Sequence, residues 1–179
     1  MSLTTAIVVI DVQQAICSGS CKTFNADQVI STINYVTDKA RTDGIPVFFV
    51  QHETQDGPFR RGSEGWALAE GLHCNDDDIY IYKRFSDAFK ETDLGQQIES
   101  QGIEHLVICG MQSEFCVDST IRQALAHGYA VTVVVDAHTT MDNGVLSAAQ
   151  ISAHHNETWK NLTSYRHTAQ VVKACDLDI

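Results

Sequence analysis

Short apolar runs alternate with helix-like segments along this chain, and this alternation limits the folds that it can adopt. Residues 5–10 read TAIVVI, a continuous apolar run that is typical of a strand buried on both faces of a sheet. Residues 27–43 carry apolar side chains at helical spacing, and Gly44 follows as a stop signal. Pro46 then precedes a second apolar run, VFFV at 47–50. This β-α-β order predicts parallel strands joined by helical crossovers.

The same alternation continues to the end of the chain. Further strands are expected at 79–82, 105–109, 130–135 and 168–173, and further helices at 93–101, 115–127 and 144–160. Asp93 is expected as an N-cap, and Gly102 and Gly128 as helix stops. We therefore predict an α/β protein with a three-layer, doubly wound (Rossmann-like), mainly parallel sheet of about six strands and helices on both faces. Its 179 residues are expected to form one domain, 1–179.

Charge and composition exclude several classes of partner. The formal net charge is −11 and no Lys/Arg cluster is present, which argues against nucleic acid or an anionic membrane surface. The N-terminal apolar run ends at Asp11 without a basic leader, so we expect a cytoplasmic protein. Its six cysteines are then expected to be free thiols. We expect a small-molecule substrate and a homo-oligomer, either a dimer or a tetramer.

Polar residues follow the ends of the predicted strands. Asp11 follows the first, Gln51-His52 the second and Lys83 the third, while the fourth leads into a loop that reaches Cys116. Asp136 follows the fifth strand. In open α/β sheets ligands bind outside the carboxyl ends of the strands, so these side chains are expected to converge there.

Each of these residues, taken singly, also has a structural interpretation. Asp11 could cap a turn, Lys83 could be a solvated surface lysine, and Cys116 could be a small buried apolar side chain. Together they favour a catalytic site. Cys116 lies near a helix start, where the helix dipole and a nearby lysine would lower the thiol pKa, and Asp11 could act as general base and acid. Cys109 lies inside a buried strand and is expected to be inert.

Four segments of the chain resemble the isochorismatase-like family of cysteine hydrolases, which includes nicotinamidases, carbamoylsarcosine amidases and streptothricin hydrolase-like amidases. The segments are AIVVIDVQQ, YKRFSDAF at 82–89, ICGMQSEFCVDST at 108–120 and HGYAVTVVVDAHTT at 127–140. The resemblance implies a catalytic triad of Asp11, Lys83 and Cys116. It also implies a cis peptide bond between Met111 and Gln112, and an oxyanion hole formed by the N–H groups of Gln112 and Cys116.

Two departures from the family patterns refine the predicted activity. Nicotinamidases carry D-x-H after the second strand together with further metal-binding histidines, whereas this chain has Val50-Gln51-His52, so we expect no metal and no cofactor. Isochorismatases, which cleave a vinyl ether, often lack the cysteine. Cys116 therefore favours an amidohydrolase that cleaves a C–N bond. A vinyl-ether hydrolase and a catalytically silent binding protein of the same fold remain as alternatives.

The stretch from 52 to 78 is long, polar and rich in glycine. Its part from 52 to 73 resembles an amidase subgroup of the streptothricin hydrolase type. It could wall the active site, as long functional loops do, or form a surface excursion packed by Trp66. The candidate substrate-binding residues are His52, Phe59, Trp66 and Gln13.

Overall fold

Six strands and five α-helices make up most of the regular structure of residues 3–179. In this computed structural model, which describes residues 3–179, the strands are β1 (Thr5–Ile10), β2 (Val47–His52), β3 (Ile79–Lys83), β4 (His105–Met111), β5 (Ala130–Thr139) and β6 (Gln170–Val172). The helices are α1 (Gln14–Cys17), α2 (Ala26–Thr42), α3 (Leu94–Ser100), α4 (Asp118–His127) and α5 (Ala148–Lys160). A π-helical turn, Ser113–Val117, leads directly into α4.

The strands form one sheet in the order β3-β2-β1-β4-β5-β6, and every neighbouring pair is parallel. The chain winds outward from β1 to β3 on one side and from β4 to β6 on the other. The strand order therefore reverses between β1 and β4, and the crevice at their carboxyl ends is where this fold binds ligands. The predicted doubly wound parallel sheet is confirmed.

Side chains along each strand point alternately to the two faces of the sheet, so the core consists of two clusters, one on each face. On one face Ile7, Val9 and Phe49 pack in a cluster with Val29 and Ile33 of α2. The opposite face carries a second cluster, which includes Val8, Ile10 and Phe48 together with Leu94 of α3, Ile121 of α4 and Trp159 of α5. Because both faces of the central strands are covered, their sequences are continuous apolar runs.

Several predicted boundaries move by a few residues. Gly44, Gly102 and Gly128 lie just past helix ends with positive φ, as predicted. Helix α5 begins at Ala148, later than predicted, because Ser147 and Gln150 form a reciprocal capping box there. Asp93 stands at the N-terminus of α3 but makes no side-chain capping hydrogen bond.

The fifth strand is longer than predicted and continues to Thr139. Asp136 consequently lies within β5 and does not follow it. Its Oδ1 accepts a hydrogen bond from the Ala174 N–H at 2.9 Å, so this carboxylate binds the segment after β6 and does not join the converging side chains.

Across residues 3–179, none of the helices has the length and apolar character needed to cross a bilayer.

Candidate active site

Lys83 lies at the centre of a cluster of side chains at the carboxyl edge of the sheet. Its Nζ donates to Asp11 Oδ2 at 2.7 Å and to Cys116 Sγ at 3.1 Å. The same ammonium contacts His52 Nδ1 at 3.3 Å and the Phe85 carbonyl at 3.2 Å. The structure therefore brings together the three residues predicted to be catalytic and adds His52 as a fourth contact.

The sheet topology explains why residues so far apart in sequence meet here. Asp11 directly follows β1, in a left-handed conformation with φ 50°, and its N–H donates to the Val50 carbonyl of β2. His52 and Lys83 end β2 and β3 and are paired in register. Cys116 lies in the π-helical turn that follows β4. Since β1 and β4 are adjacent parallel strands, their carboxyl ends place Asp11 beside this turn.

The Lys83 side chain is fully buried yet charged. Burial by itself lowers the pKa of Lys83, but the negative charge of Asp11 and the hydrogen bonds to Asp11 and Cys116 outweigh that effect, so the pKa is raised above the usual lysine value. Lys83 therefore supplies a permanent positive charge next to the Cys116 sulfur.

The thiol of Cys116 differs from the sequence prediction. Burial, followed by the negative charge of Asp11, raises its pKa to about 12, and the opposing effect of Lys83 is smaller. Lys83 lowers the pKa of Cys116 as predicted, but the net shift is upward, against the prediction of a thiolate, because burial and Asp11 outweigh the lysine. Cys116 rests as a thiol and requires a base to become a nucleophile.

Asp11 is placed to be that base. Its Oδ2 is bound to Lys83, while Oδ1 is buried and meets no hydrogen-bond donor within residues 3–179. Carboxylate, imidazole and sulfur atoms of Asp11, His52 and Cys116 all lie within 4.8 Å of one another. The arrangement leaves a carboxylate oxygen free to receive a proton close to the thiol.

Asp11, His52 and Cys116 are also residue types that bind metals. Lys83 Nζ, however, is within 3.3 Å of all three side chains. A cation held by the three would therefore lie next to a buried ammonium group and be repelled by it. The cluster fits an ammonium-centred site better than a metal centre.

His52 is neutral in this cluster. Burial, and then the positive charge of Lys83, lower the pKa of His52. A neutral imidazole can accept a hydrogen bond through the unprotonated Nδ1, which matches the contact from Lys83. His52 thus helps to orient the lysine.

The turn between β4 and Cys116 presents backbone groups to the site. The Met111–Gln112 peptide bond is cis. The Gln112 N–H has no acceptor in the part of the chain that the structure describes. A free N–H beside a nucleophile can bind a developing oxyanion, the role that the resemblance implies for Gln112.

The other three predicted substrate-binding residues have different surroundings. Gln13 is fully buried, and its amide accepts from the His52 N–H and donates to the carbonyls of His52 and Trp66. Gln13 therefore fixes the end of β2 and the loop that follows, which differs from the predicted contact with substrate. Phe59 meets the His52 ring edge-on at 5.7 Å, and Trp66 packs on Tyr82 at 5.6 Å.

Sequence reasoning missed a buried polar chain beneath the Cys116 turn. Ser113 Oγ lies 2.8 Å from His138 Nδ1, and His138 Nε2 lies 3.0 Å from Asn156 Oδ1. A signal was present, since His138 interrupts the apolar pattern of β5. It could be interpreted only after β5 was known to extend as far as Thr139.

An all-parallel, doubly wound sheet with a cysteine, a lysine and an aspartate joined at its switch point defines the class of α/β cysteine hydrolases. The isochorismatase domain family matches residues 5–172, and the chain therefore belongs to the isochorismatase family of hydrolases. The resemblance drawn from the sequence is confirmed.

Individual relatives agree with this assignment. The uncharacterized isochorismatase family protein YddQ of Bacillus subtilis is 34% identical over 142 residues, covering 77% of this chain and 79% of that protein. A streptothricin hydrolase of Streptomyces noursei is 33% identical over 138 residues, covering 76% of this chain and 55% of that enzyme. The crystal structure of an isochorismatase from Pseudomonas putida KT2440 matches with a TM-score of 0.90 at 29% identity, covering 98% of this chain and 90% of that one.

Proposed function

We propose that this protein is an amidohydrolase that cleaves a C–N bond of a small molecule through a thioester on Cys116. The observation that carries the proposal is the continuous contact from Asp11 through Lys83 to Cys116, at 2.7 and 3.1 Å. A thiol nucleophile, a carboxylate base and a fixed positive charge are the groups that acyl transfer needs. The similarity to streptothricin hydrolase supports the hydrolytic part of this proposal.

The first half of the reaction forms the thioester. Asp11 Oδ1 takes the proton of Cys116 as the sulfur attacks the amide carbonyl carbon. The N–H groups of Gln112 and Cys116 bind the oxyanion of the tetrahedral intermediate. Asp11 then returns the proton to the nitrogen, the C–N bond breaks, and ammonia or an amine leaves.

The second half releases the acid. Asp11, again a carboxylate, takes a proton from a water molecule, whose oxygen attacks the thioester carbon. The C–S bond breaks, and the departing thiolate of Cys116 is stabilised by Lys83 and takes the proton back from Asp11, which becomes a carboxylate again. Lys83 keeps its charge throughout because its pKa is raised.

The test is a hydrolysis screen that follows ammonia release from primary amides and ureas, and follows ring opening of lactams by mass spectrometry, since a lactam nitrogen stays attached to the product. We expect turnover of members of one of these groups, lost in Cys116→Ala and kept in Cys21→Ser, a control at an exposed cysteine. Isochorismate is included as the vinyl-ether substrate. Turnover of isochorismate without hydrolysis of any amide, urea or lactam, or amide hydrolysis that survives in Cys116→Ala, would contradict the proposal.

A further inference from the structure

Four polar side chains form a hydrogen-bonded chain beneath the turn that carries Cys116. Ser113 Oγ contacts His138 Nδ1 at 2.8 Å and Ser152 Oγ at 3.1 Å, and His138 Nε2 contacts Asn156 Oδ1 at 3.0 Å. Ser113 is fully buried, His138 is 3% exposed and Asn156 is 9% exposed. Buried polar groups are costly unless they are paired, so a paired chain at this place is a specific feature.

The partners determine where the protons lie. Asn156 Oδ1 can only accept, so His138 Nε2 carries the proton. His138 is neutral, because burial lowers its pKa to about 4, and its Nδ1 is therefore an acceptor. The Ser113 hydroxyl must then donate to Nδ1, which leaves its oxygen to accept from Ser152. The direction of each hydrogen bond in the chain follows from Asn156.

The network fixes one end of the nucleophile's turn, and a second contact fixes the other. Ser113 is the first residue of the π-helical turn, three residues before Cys116. Asp118 begins α4 immediately after the turn, and its Oδ1 accepts from Trp159 Nε1 at 2.8 Å. Ser152, Asn156 and Trp159 all belong to α5, so one helix holds both ends of the turn.

We propose that Ser113 and His138 are positioning residues, whose hydrogen bond holds the π-helical turn so that the Cys116 sulfur stays aligned with a bound amide. This inference rests on the proposed function of Cys116 as a nucleophile. Neither residue is a catalytic residue itself, because both are buried beneath the turn and touch none of the reacting groups. An alignment role affects the rate of the chemical step far more than the binding of substrate.

Two substitutions of His138 separate its two hydrogen bonds. His138→Asn places an amide oxygen near the position of Nδ1 and keeps the acceptor for Ser113, but it loses the contact with Asn156. His138→Gln reaches the position of Nε2 and keeps the contact with Asn156, but it loses the acceptor for Ser113. Both variants shorten or reshape the same buried side chain, so each controls for the packing loss of the other.

The probe is iodoacetamide, itself a small amide that alkylates Cys116, with the site identified by mass spectrometry. We expect Ser113→Ala and His138→Gln to lower kinact at saturating iodoacetamide about tenfold with little change in KI, and to lower kcat similarly for an amide found in the screen. His138→Asn should stay within about threefold of the natural protein, since it restores the positioning bond.

His105 provides a matched control. Its ring also joins two hydroxyl groups, those of Thr5 and Thr132, at 3.1 and 2.8 Å, but it does so at the amino ends of β1, β4 and β5, away from Cys116. His105→Gln should lower the melting temperature without changing kinact. All variants are compared at a temperature where each is fully folded.

Particular results would overturn the inference. One is an unchanged kinact in Ser113→Ala. Another is an equal loss of kinact in His138→Asn and His138→Gln, in proportion to the fall in their melting temperatures. A His138 ring found by ¹⁵N NMR to carry its proton on Nδ1 would also overturn it. Because kinact is measured on Cys116 without turnover, these outcomes are distinct from failure of the amidohydrolase proposal, which the hydrolysis screen decides.

Discussion

At the scale of single residues, the proposed chemistry depends on how readily the Cys116 thiol loses its proton. Its pKa is raised by burial and by Asp11 and is lowered by Lys83. The two charged neighbours therefore act on the thiol in opposite directions, although the proposed mechanism requires both. Substitution of each neighbour should separate the effect on thiol ionisation from the effect on catalysis.

Asp11→Asn should abolish turnover and at the same time shift the pH midpoint of Cys116 alkylation to a lower value. The base is lost, which stops proton transfer, while removal of the negative charge makes the thiolate easier to form. Lys83→Met should also abolish turnover but shift the alkylation midpoint to a higher pH, because the neighbouring positive charge is gone. The measurement is alkylation against pH, followed by mass spectrometry.

Cys21 is the internal control for both variants, since it is exposed and distant from the cluster, and its alkylation should not change. Circular dichroism confirms that each variant is folded. Shifts of the same sign in the two variants, or turnover retained in Asp11→Asn, would remove Asp11 from the proposed mechanism.

At the scale of elements, β1 and β4 approach closely just before the site. Gly110 has φ 120°, and a Cβ there would lie 2.1 Å from the Ile10 carbonyl oxygen. Gly110→Ala should destabilise the fold by about 3 kcal/mol or more, because it combines backbone strain with a backbone clash. Gly57→Ala, at φ 82° with open space around the added Cβ, should cost about 1–2 kcal/mol. Urea unfolding of the two variants tests this, and equal losses would show that the close approach has no consequence.

The buried histidine of β5 should make stability depend on pH. The pKa of His138 is lowered to about 4, below its value of about 6.5 in the unfolded chain. The unfolded state therefore binds the proton first, so the contribution is fully present above about pH 6.5 and is lost as the pH falls towards 4, amounting to about 3 kcal/mol. His155, which lowers this pKa, and Asp136, which raises it, are the titratable neighbours.

Urea unfolding between pH 4 and 7 measures this dependence. In His138→Asn the slope of the unfolding free energy against pH should be smaller, because the substituted side chain does not titrate. An identical slope in the two proteins would mean that His138 is already accessible to protons in the folded state.

At the scale of the whole molecule, the order of the parallel strands brings the Lys83 ammonium group to the carboxyl edge of the sheet, where the other site residues surround it. Four elements that are distant in sequence meet at the switch point, and Lys83 occupies their centre. We expect full activity after EDTA treatment and dialysis, and no stoichiometric zinc or iron by elemental analysis, because the site already holds a positive charge. Loss of turnover on chelation, with recovery on added zinc, would contradict this expectation.

Local patterns were enough to predict the order of strands and helices, and to predict that Asp11, His52 and Lys83 stand at the ends of the first three strands. Apolar runs, stop glycines and the family pattern were sufficient because these signals are local. The tertiary structure was needed to show that Gln13 is a buried tether, that Asp136 lies within β5 and that His138 contacts Ser113 beneath the turn of Cys116. It also reversed the expected shift of the thiol pKa. These properties depend on burial and on neighbours from distant strands, and neither can be derived from local residue patterns.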